Sequence, residues 1–135
     1  MFHSTDDERI AGYRPLISPA ILMEELPVSE QAANTVAEAR RAAEAVVRGE
    51  DDRLLVVTGP CSIHDPKAAL EYADRLQSAK RALSADLCII MRVYFEKPRT
   101  TVGWKGLIND PHLDGTVDIN NGLRAARRLL LELAH

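Results

Sequence analysis

Basic charge is what this chain lacks as a whole: seventeen Lys and Arg stand against twenty Asp and Glu, for a net charge of −3 at pH 7. That balance excludes the broad positive footprint of a nucleic-acid or membrane-surface binder, so neither is expected as a partner. Long apolar runs are missing too, and nothing in the sequence approaches a membrane span. The N-terminal segment Met1 to Glu8 has no basic region leading into an apolar one, which excludes a signal peptide. Cysteine is scarce: Cys61 and Cys88 stand apart, without metal-knuckle spacing. Reduced thiols and a cytoplasmic location are the expectation. There is no internal repeat and no low-complexity tract.

What is present suits one folded core: 135 residues, 46% of them hydrophobic. Residues 1 to about 28 read as an arm, acidic at Asp6, Asp7 and Glu8 and punctuated by Pro15, Pro19 and Pro27. Pro19 suits the first turn of a short helix. A longer helix is predicted from an N-cap at Ser29 to a stop at Gly49, with Ala32, Ala33, Val36, Ala43, Val46 and Val47 on its stripe. Arg53 to Thr58 reads as a strand buried on both faces. Asp65 then caps a helix that carries Pro66 in its first turn and Ala69, Ala73, Leu76 and Leu83 on one face. Leu87 to Val93 reads as a second buried strand, and strand, helix, strand at these lengths predicts a parallel βαβ unit. A long aperiodic segment follows from Tyr94 to about Thr116, then a helix from Ile119 with Leu123, Ala126, Leu130 and Leu133 on one face. Two such strands leave hydrophobic edges open, so the expectation is the front part of a larger α/β protein.

Two loops at strand carboxyl ends carry the candidate chemistry, because ligands of α/β folds bind there. The first is Gly59-Pro-Cys-Ser-Ile-His-Asp65; the second opens with Arg92 and contains Lys97, Arg99 and Thr100. Arg92, Lys97, Arg99 and Lys105 crowd together against one acid, Glu96. Such a local cluster in an acidic chain points to a bound anion, and an arginine closing a buried strand needs a carboxylate or phosphate. Arg99 with Thr100 offers a fork and a hydroxyl, a good phosphate pair. Cys61 is a candidate soft metal ligand, although a cysteine beside a strand is more often a buried small hydrophobe; His64 is more often a hydrogen-bonded loop residue, Cys88 is core, and Trp104 is a packing anchor under the loop.

Three segments carry a family resemblance: Asp52-Arg-Leu-Leu-Val-Val57, the Gly59 to Asp65 loop, and the run from Met91-Arg-Val-Tyr-Phe-Glu-Lys-Pro-Arg-Thr-Thr101 on to Asn109-Asp-Pro-His112. Together they resemble the type I 3-deoxy-D-arabino-heptulosonate 7-phosphate (DAHP) synthases across essentially the whole chain. The resemblance implies the N-terminal part of a (β/α)8 barrel, with residues 1–50 as an oligomer or regulatory extension and residues 51–135 as the first βαβ unit and following loop and helix. It implies a condensation of phosphoenolpyruvate with erythrose 4-phosphate, first step of the shikimate route to aromatic amino acids. A divalent metal such as Mn, Fe or Co would polarise the aldehyde. By the same resemblance Cys61 is a metal ligand, and Arg92 and Lys97 contact phosphoenolpyruvate, Lys97 also being the candidate catalytic residue for proton handling. Arg99 and Thr100 contact erythrose 4-phosphate. Asp6, Asp7 and Ile10 match the segment that binds a feedback aromatic amino acid in the phenylalanine-sensitive branch, in a homo-oligomer.

The family's other metal ligands fall beyond His135, so the chain expressed alone is expected to lack synthase activity. The competing expectation is a non-catalytic truncated product that binds anions weakly or serves a subunit interface.

Overall fold

In the computed structural model, residues 9–10, 12–96 and 103–135 are described. Six elements follow in order: α1 (Pro19–Glu25), α2 (Glu30–Arg48), β1 (Leu54–Thr58), α3 (Pro66–Ala82), β2 (Leu87–Met91) and α4 (Ile119–Ala134). Local chemistry fixes their ends. The Ser18 hydroxyl accepts from the Ile21 amide at 3.3 Å, and Pro19 opens α1. The Ser29 hydroxyl accepts from the Ala32 amide at 3.1 Å, and Gly49 ends α2 in the left-handed region at φ 72°. The Asp65 carboxylate takes the Lys67 amide at 2.9 Å and so starts α3.

β1 and β2 pair in parallel, Leu54 beside Leu87 through Thr58 beside Met91, with α3 as the crossover. The fold is thus α/β with a small parallel sheet, as the alternation predicts. β2 buries Cys88 and Ile89. β1 does not match the expectation of burial on both faces: Leu54 is 66% and Val57 60% exposed. Its one sheet neighbour among the described residues is β2, so nothing there covers its far side.

The core joins α3 and α4 to the loops beyond the strands. Ile63, Ala69 and Leu129 are its buried centre, with Leu70, Val93, Phe95 and Leu133 packed around them. Three expected helix faces shift. On α4 the deeply buried leucine is Leu129, at 2% exposed, while Leu130 is 46% exposed. On α2 the covered stripe runs through Ala32, Ala39, Ala42, Ala43 and Val46, whereas Val36 and Val47 face outward. Leu83 caps α3 at the surface and leaves its stripe. None of the helices among the described residues is long and apolar enough to cross a membrane.

The arm lies against α4. Asn120 accepts from the Ile17 amide at 2.9 Å and donates to the Pro15 carbonyl at 3.0 Å. Arg124 forms a forked pair with Glu25, at 2.7 and 3.0 Å, and Arg127 reaches the Leu26 carbonyl at 2.7 Å. The hydrogen bond from Arg124 holds the Glu25 carboxyl below the usual glutamate range.

Two predictions follow from this packing. Leu129→Ala should cost the intact protein about 2–5 kcal/mol in denaturant melts, and Leu130→Ala less than about 0.5 kcal/mol. Because the Glu25 pKa is depressed, its pairing is complete above the unfolded value of about 4.3 and is lost as pH falls through the lower folded value. The NMR signal of the Arg124 Nε–H should therefore hold steady from neutral pH down through the unfolded value, move only below it, and in Glu25→Gln show no such step.

Candidate functional site

The two loops are laced together by their backbones. Beyond the end of β2, the Arg92 amide donates to the Thr58 carbonyl at 2.7 Å, so the parallel ladder runs one bond further. The chain then turns at Gly59, at φ 153°, where any Cβ would overlap the Arg92 carbonyl. Only glycine permits that approach. Next the Ile63 amide donates to the Tyr94 carbonyl at 2.8 Å, and the Ser62 hydroxyl to the Phe95 carbonyl at 3.2 Å. Ile63 is anchored in the core, so the loop hangs from a fixed point between Cys61 and His64.

Arg92 closes the same seam with its side chain. Its Nε donates to the Pro60 carbonyl at 3.2 Å and its Nη2 to the Gly59 carbonyl at 3.0 Å. The residue is exposed, which corrects the argument that desolvation forces an anion on it. Two carbonyls orient the guanidinium, and among the described residues no other group takes its remaining donors, which suit a carboxylate or phosphate. Cys61 follows Pro60 directly and is an exposed free thiol, which settles against the small buried hydrophobe. Cys88 is buried, as expected. The exposed His64 ring meets Trp104 edge-on, at 6.5 Å between centroids and 89° between planes.

A third segment, absent from the expected site, braces the second loop. Leu107, 2% exposed, is its anchor, and its amide donates to the Phe95 carbonyl at 3.3 Å. Trp104 is only half-buried and serves as a strut, its indole N–H donating to the Asp110 carbonyl at 2.8 Å. Asn109 donates to the Glu96 carboxylate. The Gly-Trp-Lys-Gly spacing was the available signal, since Gly106 also permits a close backbone approach.

The structure therefore brings together the Cys61 loop and Arg92, the part of the expected site that can be placed. Lys97, Arg99, Thr100, Asp6 and Asp7 lie outside the described residues. Ile10 is described and 48% exposed. Among the described residues no group of three or more His, Cys, Asp and Glu is arranged to hold a metal. One thiolate falls short of a catalytic metal site, which takes about three protein ligands. Two surface cavities lie elsewhere, one between α2, α3, β2 and α4, the other between residues 12–16 and 116–120.

Gly59→Ala should separate the two loops. The expected outcome is a loss of about 2 kcal/mol or more in thermal melts, with the Ile63 amide losing protection in hydrogen exchange.

Comparison with known proteins shows the family. Residues 25–132 match the DAHP synthetase I family. The chain is 59% identical over 133 residues to the Phe-sensitive phospho-2-dehydro-3-deoxyheptonate aldolase of Escherichia coli K12, covering 98% of this chain and 38% of that protein. It is 58% identical over 129 residues to a phospho-2-dehydro-3-deoxyheptonate aldolase of Amycolatopsis methanolica, covering 96% of this chain and 64% of that one. The solved structure of the Francisella tularensis SCHU S4 aldolase superposes with a TM-score of 0.89 at 50% identity, over 93% of this chain and 37% of that one. The chain thus spans 38% of the E. coli relative's length and 64% of the Amycolatopsis one's, and with a family match over most of its own length it belongs to the DAHP synthetase I family.

Proposed function

We propose that the protein condenses phosphoenolpyruvate with erythrose 4-phosphate to give DAHP and phosphate, and that this chain supplies the anion-binding part of the site. Family membership supports the reaction, since the E. coli relative is named for the corresponding aldolase activity. The observation that carries the site is Arg92, held by the Gly59 and Pro60 carbonyls beside an exposed Cys61. A guanidinium oriented before a ligand arrives loses little freedom on binding one. Its free edge suits the carboxylate or phosphate of phosphoenolpyruvate.

In this reading Lys97 joins Arg92 on phosphoenolpyruvate and handles a proton, while Arg99 and Thr100 take the phosphate of erythrose 4-phosphate. Cys61 gives one thiolate to a divalent metal whose other donors come from elsewhere in the protein. The small parallel sheet is the start of a (β/α)8 barrel, and the open side of β1 is where further strands would pack. Residues 1–50 form the oligomer and regulatory extension, with Asp6, Asp7 and Ile10 toward a feedback aromatic amino acid. Phenylalanine is the first choice, from the name of the E. coli relative. The full protein is a cytoplasmic homo-oligomer.

The test is phosphate release by the full-length protein given both substrates. Arg92→Ala should still fold, melting a little below the wild type for the two lost seam bonds, and lower kcat/KM for phosphoenolpyruvate about 10- to 100-fold. No turnover by the wild type overturns the reaction; unchanged kinetics in Arg92→Ala overturn the residue's role.

A further inference from the structure

We propose that Asn109 and Glu96 form a positioning pair that fixes how the chain enters the cation-rich loop at Lys97; this rests on the reading of Lys97, Arg99 and Thr100 as substrate contacts. By sequence Glu96 is the lone acid among the cations. The structure gives it a neutral partner. Its half-buried carboxylate accepts from the Asn109 side-chain amide, thirteen residues on. An amide holds a carboxylate without adding charge to a site already crowded with cations.

Asn109 has a rigid base from which to do this. On one side Leu107 is locked into the core, and its amide is bonded to the Phe95 carbonyl at 3.3 Å. On the other the Asp110 carbonyl accepts the Trp104 indole at 2.8 Å. Between them Ile108 is pressed against Gly122 of α4, where a Cβ would overlap the Ile108 carbonyl. Gly106 completes the approach: a Cβ there would stand 2.5 Å from the Phe95 carbonyl oxygen and 2.7 Å from Glu96 Cγ. Residues 106–109 thus lie flat against 95–96, and the asparagine closes the contact.

The opposite side of the same segment is held by the first loop, through Ser62 to the Phe95 carbonyl and Ile63 to the Tyr94 carbonyl. Phe95 and Glu96 are consequently fixed from two directions at the last step before Lys97. Successive Cα atoms are about 3.8 Å apart, so the position of Glu96 sets where Lys97 starts. A misplacement of about 1 Å there is enough to cost a reaction one or two orders of magnitude.

Four variants of the full-length protein test the pair: Asn109→Ala, Glu96→Ala, Glu96→Gln and Asn109→Asp. Each is measured for kcat and both KM values across pH, for melting temperature, and for hydrogen exchange at Ile63 and Leu107, whose amides donate to the Tyr94 and Phe95 carbonyls. The two alanine variants should lose about tenfold or more in kcat/KM, with faster exchange at those residues. Glu96→Gln keeps an acceptor oxygen and should stay within about threefold of wild type. Asn109→Asp sets two carboxylates face to face, so its activity should fall at neutral pH and recover on acidification as the pair comes to share a proton. Alanine variants that melt lower yet keep wild-type kinetics and exchange overturn the proposal. So does a Glu96→Gln enzyme as impaired as Glu96→Ala, which would assign the charge and not the position. If the wild type fails to turn over the two substrates, the reaction is at fault; exchange in Asn109→Ala then decides the pair, unchanged rates overturning it.

Discussion

The candidate site depends on two backbones approaching closer than a side chain allows. At Gly59 the chain leaving β1 lies against Arg92, which has just left β2, and any Cβ would fill the gap. That contact turns the end of a parallel ladder into a seam between two loops. The seam then continues through the Ile63 amide, the Ser62 hydroxyl and the Arg92 guanidinium. Each of these bonds presupposes the first, because none could reach across a wider gap. The placement of Cys61 beside Arg92 is therefore a backbone result, and the side chains inherit it.

Burial holds the seam in place from below. Ile63 from the first loop and Val93 and Phe95 from the second meet Leu129 of α4 in one cluster. A helix that begins more than fifty residues after Ile63 thus carries both loops on a single face. The same helix receives the arm through Asn120, Arg124 and Arg127. Burying Leu129 contributes about 1.5–3 kcal/mol, more than a typical neutral hydrogen bond of the seam. Packing supplies the energy, and the hydrogen bonds supply the register.

Much of this was legible from local chemistry. Ser29, Asp65, Pro66 and Gly49 act on the nearest turn, and their consequences do not depend on distant residues. The βαβ unit was legible because continuous β-branched runs and an intervening 3.6 period have few alternatives. The choice of face was less so. Leu129, Leu130 and Leu131 follow one another, and periodicity shows that α4 has an apolar side without saying which leucine is deepest. On α2 Ala32, Ala39, Ala42, Ala43 and Val46 are covered while Ala33, Val36 and Val47 are exposed, a choice among apolar positions that periodicity alone does not make. The Asn109–Glu96 pair was not legible at all, since nothing in either residue's neighbourhood names the other.

Charge is where proximity in sequence misleads most. A cluster of cations suggests mutual repulsion relieved by an anion, which presumes that the charges are desolvated and unpartnered. The described arginines show how partners decide. Arg53 is held by Asp51 in a forked pair, Arg124 by Glu25, and Arg127 by a backbone carbonyl. The first two have their charge answered by a carboxylate, and each of those carboxyls titrates below its usual range because of it. Arg92 belongs with Arg127 and not with the first two: among the described residues its partners are two neutral carbonyls, which fix its direction and leave its charge unanswered. A guanidinium oriented by neutral groups at the surface keeps its full attraction for an incoming anion, whereas one paired with a carboxylate has mostly spent it. That distinction, and not the count of cations, is what supports the proposal of Arg92 as the anion-binding residue of this seam.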